Sequence, residues 1–275
     1  MIRALQLEWL KIRNYKVFWV LMGMYLLALL IITSGGMFFL EWIKSFDGNI
    51  ERLDPTLIPL YDFPDIWQNT TYLGSFIKIL LAFVVIISVN NDISYNTLRQ
   101  NIIDGISKKE YLLSKLLFIA GLALFSSLSL FLMGLVNGSI YSHVLGASYI
   151  FDELEFLLAY AYDIVIFCTL AFLLSLVIKK AGFVIVFMAL YSLMFEPILA
   201  VFLQYSPFTR DTAWAEFAAF LPINSLSNLI PVPFPKYFFR EILTDVSLKT
   251  ILIASGWFAT YLSLIVFILN RRDLK

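Results

Sequence analysis

Three ionisable residues, Lys78, Asp163 and Glu196, stand inside stretches otherwise apolar enough to sit in lipid. A full charge at mid-bilayer costs about 2.5–3.5 kcal/mol even on the mildest insertion scale, so such groups pair, face water or line a route for cargo. Two arrangements fit. Lys78 pairs with Asp163 or Glu196 inside a helix bundle, or all three sit at the interface, where a lysine can snorkel to the headgroups. Their positions toward the ends of their segments slightly favour the interface. Pro197 follows Glu196, and its missing N–H predicts a kink at that point.

Other chemistries are poorly served. The one histidine, His143, rules out an H-E-x-x-H zinc site and reads as a solvated loop residue. The one cysteine, Cys168, lies in an apolar run, so no intrachain disulfide or C-x-x-C pair can form. Ser34-Gly35-Gly36 lacks the G-x-S-x-G frame of a serine nucleophile, and its base would have to be a loop histidine. No Gly-Lys pair occurs, so the chain carries no P-loop. No catalytic residue and no metal site is expected, and the chain is not expected to be an enzyme by itself.

The elements that must position the charges follow from composition. Of 275 residues 60% are hydrophobic and 15% charged, with a mean hydropathy of +0.84, against roughly 45–50% and about 25% for a soluble domain. These values predict an integral membrane protein, and the zero net charge gives no footprint for nucleic acid. A helix needs roughly 20 apolar residues to cross the hydrocarbon core. Six stretches qualify: about 18–40, 73–91, 111–137, 156–178, 183–203 and 250–270. The first is too long and lacks an A-x-A site, so it reads as a retained span rather than a cleaved signal. The expected fold is an all-α, six-span membrane protein forming a single domain over 1–275.

Orientation follows from the basic residues. With both termini inside, the cytoplasmic segments hold thirteen, namely Arg3, Lys11, Arg13, Lys16, Arg99, Lys108, Lys109, Lys115, Lys179, Lys180, Arg271, Arg272 and Lys275. The outside segments hold six: Lys44, Arg52, Arg210, Lys236, Arg240 and Lys249. The N-in, C-in arrangement is therefore expected. In residues 1–16, Ile2, Leu5, Trp9 and Ile12 share one helical face with Glu8 and Lys11 mostly elsewhere, which predicts an amphipathic helix on the cytoplasmic surface. Residues 41–72, with Glu41, Asp47, Glu51, Asp54, Asp62 and Asp65, read as a structured outside loop without the calcium-loop pattern. Residues 204–249 are apolar but broken by Pro222, Pro231, Pro233 and Pro235. They form either short helices dipping into the outer leaflet or an external loop resting on the interface.

Between the second and third spans lies the polar insert NNDISYNTLRQNIIDGISKKEYLLSK, residues 90–115. Ile93, Leu98, Ile102, Ile103 and Ile106 recur at helical spacing, leaving Tyr95, Asn96, Thr97, Arg99, Gln100, Asn101 and Asp104 on the other positions. Gly105 is a helix stop, and Ser107 with Glu110 forms a capping box that starts the next helix. A short rigid helix between two turns predicts a docking element rather than a solvated loop.

This stretch resembles the signature after the second span of ABC-2 type transporter permeases. Asp92 stands at the acidic position, and Thr97-Leu98, Gly105-Ile106-Ser107-Lys108 and Lys115 match the following places, with Asn96 where glycine is usual. Residues 5–19 are similar to the family's elbow helix, with Glu8 and Lys11 in the usual order. The resemblance implies a permease subunit of an ABC transporter in a bacterial inner membrane. Such a subunit pairs with a second copy or a paralogue and docks a separate ATP-binding subunit that holds ATP and Mg. The implied ATPase-coupling residues are Asp92, Tyr95, Asn96, Thr97, Leu98, Arg99, Asn101, Ile102, Asp104, Gly105, Ser107 and Lys108, supported by Leu5, Glu8, Trp9, Lys11 and Ile12 of the elbow. Lys78 and Glu196 are then candidates to line the path for a lipid-like, amphipathic or peptide cargo. The alternative is a non-transporting scaffold or immunity protein that docks a cytoplasmic partner by the same surface.

Overall fold

The computed structural model describes residues 2–46, 60–144, 146–209, 211–233 and 245–271, with side chains described for all of these except 2–5, 7, 37–46, 98 and 99. Among the described residues every regular element is helical: α1 Ile2–Arg13, α2 Lys16–Phe46, α3 Ile66–Ser75, α4 Lys78–Ser94, α5 Thr97–Ile103, α6 Lys108–Tyr141 and α7 Ala147–Ile150. The chain continues through α8 Glu155–Ile178, α9 Ala181–Leu190, α10 Glu196–Tyr205, α11 Ala213–Phe217, α12 Pro222–Ser227 and α13 Leu248–Arg271. Five helical stretches are long and apolar enough to cross a membrane, and α3 with α4, bent by 45°, makes a sixth if the pair counts as one. The chain is thus an all-helical multi-pass membrane protein. Of the acidic loop, Asp47, Glu51 and Asp54 lie outside the described residues, as does Pro235.

The centre of the bundle is α8, against which α3, α4, α6, α9, α12 and α13 pack. Its sequence is apolar on every face, so no side can profitably be left to water, and sixteen of its 24 residues are buried. The peripheral helices keep broad apolar faces outward. Leu27, Leu30 and Ile31 on α2 and Phe183, Val186 and Leu190 on α9 are each more than half exposed, as suits helices in contact with lipid.

One local feature departs from the expected elements. The stretch 73–91 is covered by two helices rather than one. Helix α3 extends into what reads as loop, and the Gly74-Ser75 pair breaks it from α4, with the Ser75 hydroxyl donating to the Tyr72 carbonyl at 2.7 Å. Trp67 of α3 is fully buried, stacks on Phe131 and donates from Nε1 to the Ile150 carbonyl. Gly134 and Gly138 on α6 make room for aromatic rings. A Cβ at Gly134 would lie 2.7 Å from the Trp67 ring, and one at Gly138 would strike Phe63. Before Pro197 the helix is irregular. The chain relaxes into a π turn over Tyr191–Phe195, and the Glu196 N–H reaches back to the Tyr191 carbonyl.

Candidate functional site

At one end of the bundle four charges from three helices close into a ring. Helix α1 presents Glu8 and Lys11 one turn apart, the last turn of α4 contributes Asp92, and the second turn of α6 contributes Lys115. Lys11 Nζ donates to Asp92 Oδ1 at 2.9 Å and to Glu8 Oε1 at 3.3 Å. Lys115 Nζ bridges the other two oxygens, Glu8 Oε2 at 2.7 Å and Asp92 Oδ2 at 2.6 Å, and gives its third hydrogen to Ser88 Oγ at 2.9 Å. Glu8, Asp92 and Lys115 are buried, while the Lys11 side chain keeps a third of its surface. Two cations and two anions cancel, and the alternation gives every oxygen a cation, which is what lets the group be buried at all. Burial works against the charge on Lys11, but Asp92 and Glu8 outweigh it and hold its ammonium above the usual lysine value of 10.5.

The ring carries a short helix. The Thr97 hydroxyl donates to the Asp92 carbonyl and carboxylate at 3.2 and 3.1 Å, tying the first turn of α5 to the end of α4. Asn96 enters α5 with φ +54°, a left-handed conformation that asparagine tolerates better than most residues. The exit is a Schellman turn: Gly105 has φ +91°, its N–H bonds Ile102, and the Ile106 N–H bonds Asn101. The next helix opens on the expected capping box, with Ser107 Oγ accepting from the Glu110 N–H and the Glu110 carboxylate accepting from the Ser107 N–H.

Exposure sorts the residues of this insert. Asp92 and Ile106 are buried, Thr97, Asn101, Ile102 and Lys108 are half-buried, and Tyr95, Asn96, Gln100, Asp104, Gly105 and Ser107 are exposed. Ile103, placed by spacing on the inward face, is 72% exposed, and Tyr95 is 74% exposed. Two large apolar side chains thus stand open on the turn and helix that the ring holds in place. On α1, Ile12 is buried and Trp9 is exposed, while the side chains of Leu5, Leu98 and Arg99 lie outside the described residues.

The slight preference for an interfacial Lys78, Asp163 and Glu196 is corrected: all three are buried. Lys78 donates to both Asp163 oxygens at 2.7 Å, and its Nζ stands 5.0 Å from the centre of the Phe167 ring. The physical reason is the central position of α8, which puts Asp163 under protein on every side. Among the described residues Glu196 pairs with no lysine. Its Oε1 accepts from the Ile223 and Asn224 N–H groups, capping the first turn of α12 and latching it to α10. His143 is exposed, as expected, with its N–H on the Asp62 carboxylate. Among the described residues no group of three His, Cys, Asp or Glu side chains could hold a metal.

Sequence reasoning found Glu8, Lys11 and Asp92 but not their meeting, and it gave Lys115 no ionic role. The available signal was an excess of two acids and two lysines on helix ends that border one surface. No family model matches the chain, and no curated protein matches it.

Proposed function

We propose that this chain is the permease subunit of an ABC transporter. It couples ATP hydrolysis by a separate subunit, which holds ATP and Mg, to export or flipping of a lipid-like, amphipathic or peptide cargo. On this reading the chain lies in a bacterial inner membrane with both termini inside. The bent pair α3–α4 serves as the second of six spans, the segment of α11 and α12 dips into the outer leaflet, and a second copy or a paralogue completes the pathway. Helix α1 is the elbow and α5 the coupling helix.

The observation that supports this most is the mounting of α5. A motor outside the membrane biases a membrane domain only through contacts that differ between its states. An element that receives such a push must be stiff and open to a partner. Turns at both ends and the ionic ring beneath supply stiffness, while Tyr95 and Ile103 supply an open apolar contact.

Ile102 and Ile106 are poor probes of docking because their side chains support the insert. The discriminating substitutions are Ile103→Asp and Tyr95→Ala, at positions where changes alter stability by about 0.5 kcal/mol or less. Co-expressed with a candidate ATP-binding subunit, the parent chain should co-purify with it and stimulate its ATP hydrolysis. Both variants should lose association at an unchanged melting temperature. Association and stimulation indifferent to both changes would refute α5 as the docking element. A complex whose ATP hydrolysis ignores this chain would favour the scaffold reading.

A further inference from the structure

At the other end of α4, remote from the ionic ring, a cavity of about 410 Å3 lies between the α3–α4 break, the π turn with α10, and α12. That volume falls within the range of sites that take small molecules and is more than ten times the roughly 30 Å3 share of one water. Phe76, Leu193 and Val201 line it and are each more than half exposed, so its mouth opens sideways toward lipid. The rest of the lining is half apolar or aromatic and half polar, the polar half being the hydroxyls of Ser75, Ser192 and Ser227 and the neutral amides of Gln204, Asn224 and Asn228.

Among the described residues that line this cavity, Lys78 alone is charged. Its counterion Asp163 is not part of the lining and is 1% exposed, so the ion pair shows the cavity its positive end. An ammonium has three N–H donors; two are engaged by the Asp163 oxygens, and one is left over beside the cavity. The Phe167 ring holds the ammonium from below. A site with one buried cation, neutral amides and hydroxyls, and an apolar mouth open to lipid complements a molecule with an anionic head and an apolar body.

We infer that this cavity binds the anionic head of a lipid-like amphiphile through Lys78, with the adjoining apolar chain against α10 and α3. The ligand enters from the bilayer rather than from water. Asp163 keeps Lys78 charged and oriented while the site is empty, and a phosphate or carboxylate oxygen takes the remaining donor when it is filled. That the occupant is cargo rests on the permease reading; that the cavity binds it does not.

The test uses the full chain in non-ionic detergent, with binding read by native mass spectrometry. The probes are dihexanoyl phosphatidylglycerol, dihexanoyl phosphatidylcholine and inorganic phosphate. The anionic lipid should bind at least about ten-fold more tightly than the zwitterionic one, a difference of about 1.4 kcal/mol. Inorganic phosphate should not displace it. Lys78→Met combined with Asp163→Leu, which replaces the whole pair with apolar side chains of similar size, should reduce the anionic lipid to the level of the zwitterionic one. Ala200→Phe, which fills the cavity and leaves the pair intact, should weaken both lipids by a similar factor.

Equal binding of the two lipids to the parent chain would show a general lipid covering and overturn the proposal. So would displacement by inorganic phosphate, an anionic preference that survives Lys78→Met with Asp163→Leu, or lipid binding unchanged by Ala200→Phe. Binding is read without the ATP-binding subunit, so its failure leaves coupling untouched, and a failure of coupling leaves the binding result standing.

Discussion

Replacing Lys115 by methionine keeps the unbranched stem of the side chain and removes one charge from the ring that joins α1, α4 and α6. Glu8 and Asp92, 4% and 2% exposed, would then share Lys11 alone. Removing one partner of a buried pair costs about 3–5 kcal/mol, because the charge left behind has neither partner nor water. Lys115 contacts both acids at 2.6 and 2.7 Å, which argues for the full range. The third of Lys11 that remains exposed lets water screen part of the loss, and the expectation settles near the lower end, about 3 kcal/mol.

The closed ring makes a sharper claim than destabilisation. Adding Glu8→Gln to Lys115→Met removes the stranded negative charge and leaves one neutral pair, Lys11 with Asp92. The double variant should therefore be more stable than Lys115→Met alone, by about 1–2 kcal/mol, a coupling typical of residues in one network. Denaturant unfolding of the four proteins in detergent, followed by tryptophan fluorescence, measures all corners of this cycle. Losses that simply add, or a double variant less stable than both singles, would refute the ring as a unit.

Further glycine substitutions test the surrounding construction. Gly138→Ala and Gly134→Ala each force a methyl against a ring, Phe63 or Trp67, and should lower stability by about 1–3 kcal/mol, whereas Gly23→Ala, which meets nothing within 4 Å, should be nearly silent in the same unfolding assay. Gly105→Ala meets no neighbour, so its penalty is the left-handed backbone alone, about 1–2 kcal/mol. Hydrogen exchange at the Gly105 and Ile106 amides, bonded to Ile102 and Asn101, should quicken by about ten-fold for each 1.4 kcal/mol, with Gly105→Asn affected less.

What the sequence disclosed divides along physical lines. Local chemistry was legible: Gly105 as a stop, Ser107 with Glu110 as a start, and Pro197 as the site of a helix irregularity each depend on backbone geometry within a few residues. The residues of the ionic ring were individually visible, but Lys11 and Asp92 stand 81 positions apart and Lys115 and Glu8 stand 107 apart, and periodicity fixes faces only within one helix. The same limit left Lys78 and Asp163 unpaired, though α8 held a clue. A span apolar on all sides with one carboxylate points to a central helix and a buried partner, not to an interface. Ile103 was misplaced because α5 is only seven residues long, and two turns of helix do not define an apolar face when a left-handed residue at each end sets its rotation. Ile102 and Ile106 face inward, and Ile103 is left open.

The two ionic clusters meet in α4. Lys78 opens this helix and Asp92 lies in its last turn, fourteen residues apart, or about 21 Å along a straight helix. Between them Leu81, Val85, Ile86 and Val89 are buried, so the helix is held along its length as well as at its ends. One end is fixed to α8 through Asp163, and the other to α1 and α6 through Glu8, Lys11 and Lys115. Thr97 ties α5 to the same Asp92. A displacement of α5 is therefore delivered to α1, α4 and α6 together, because none of them can follow it alone without opening a buried charge. On the proposed function, this is how a push on a seven-residue helix reaches the membrane. The far end of α4 holds Lys78, which lines the cavity.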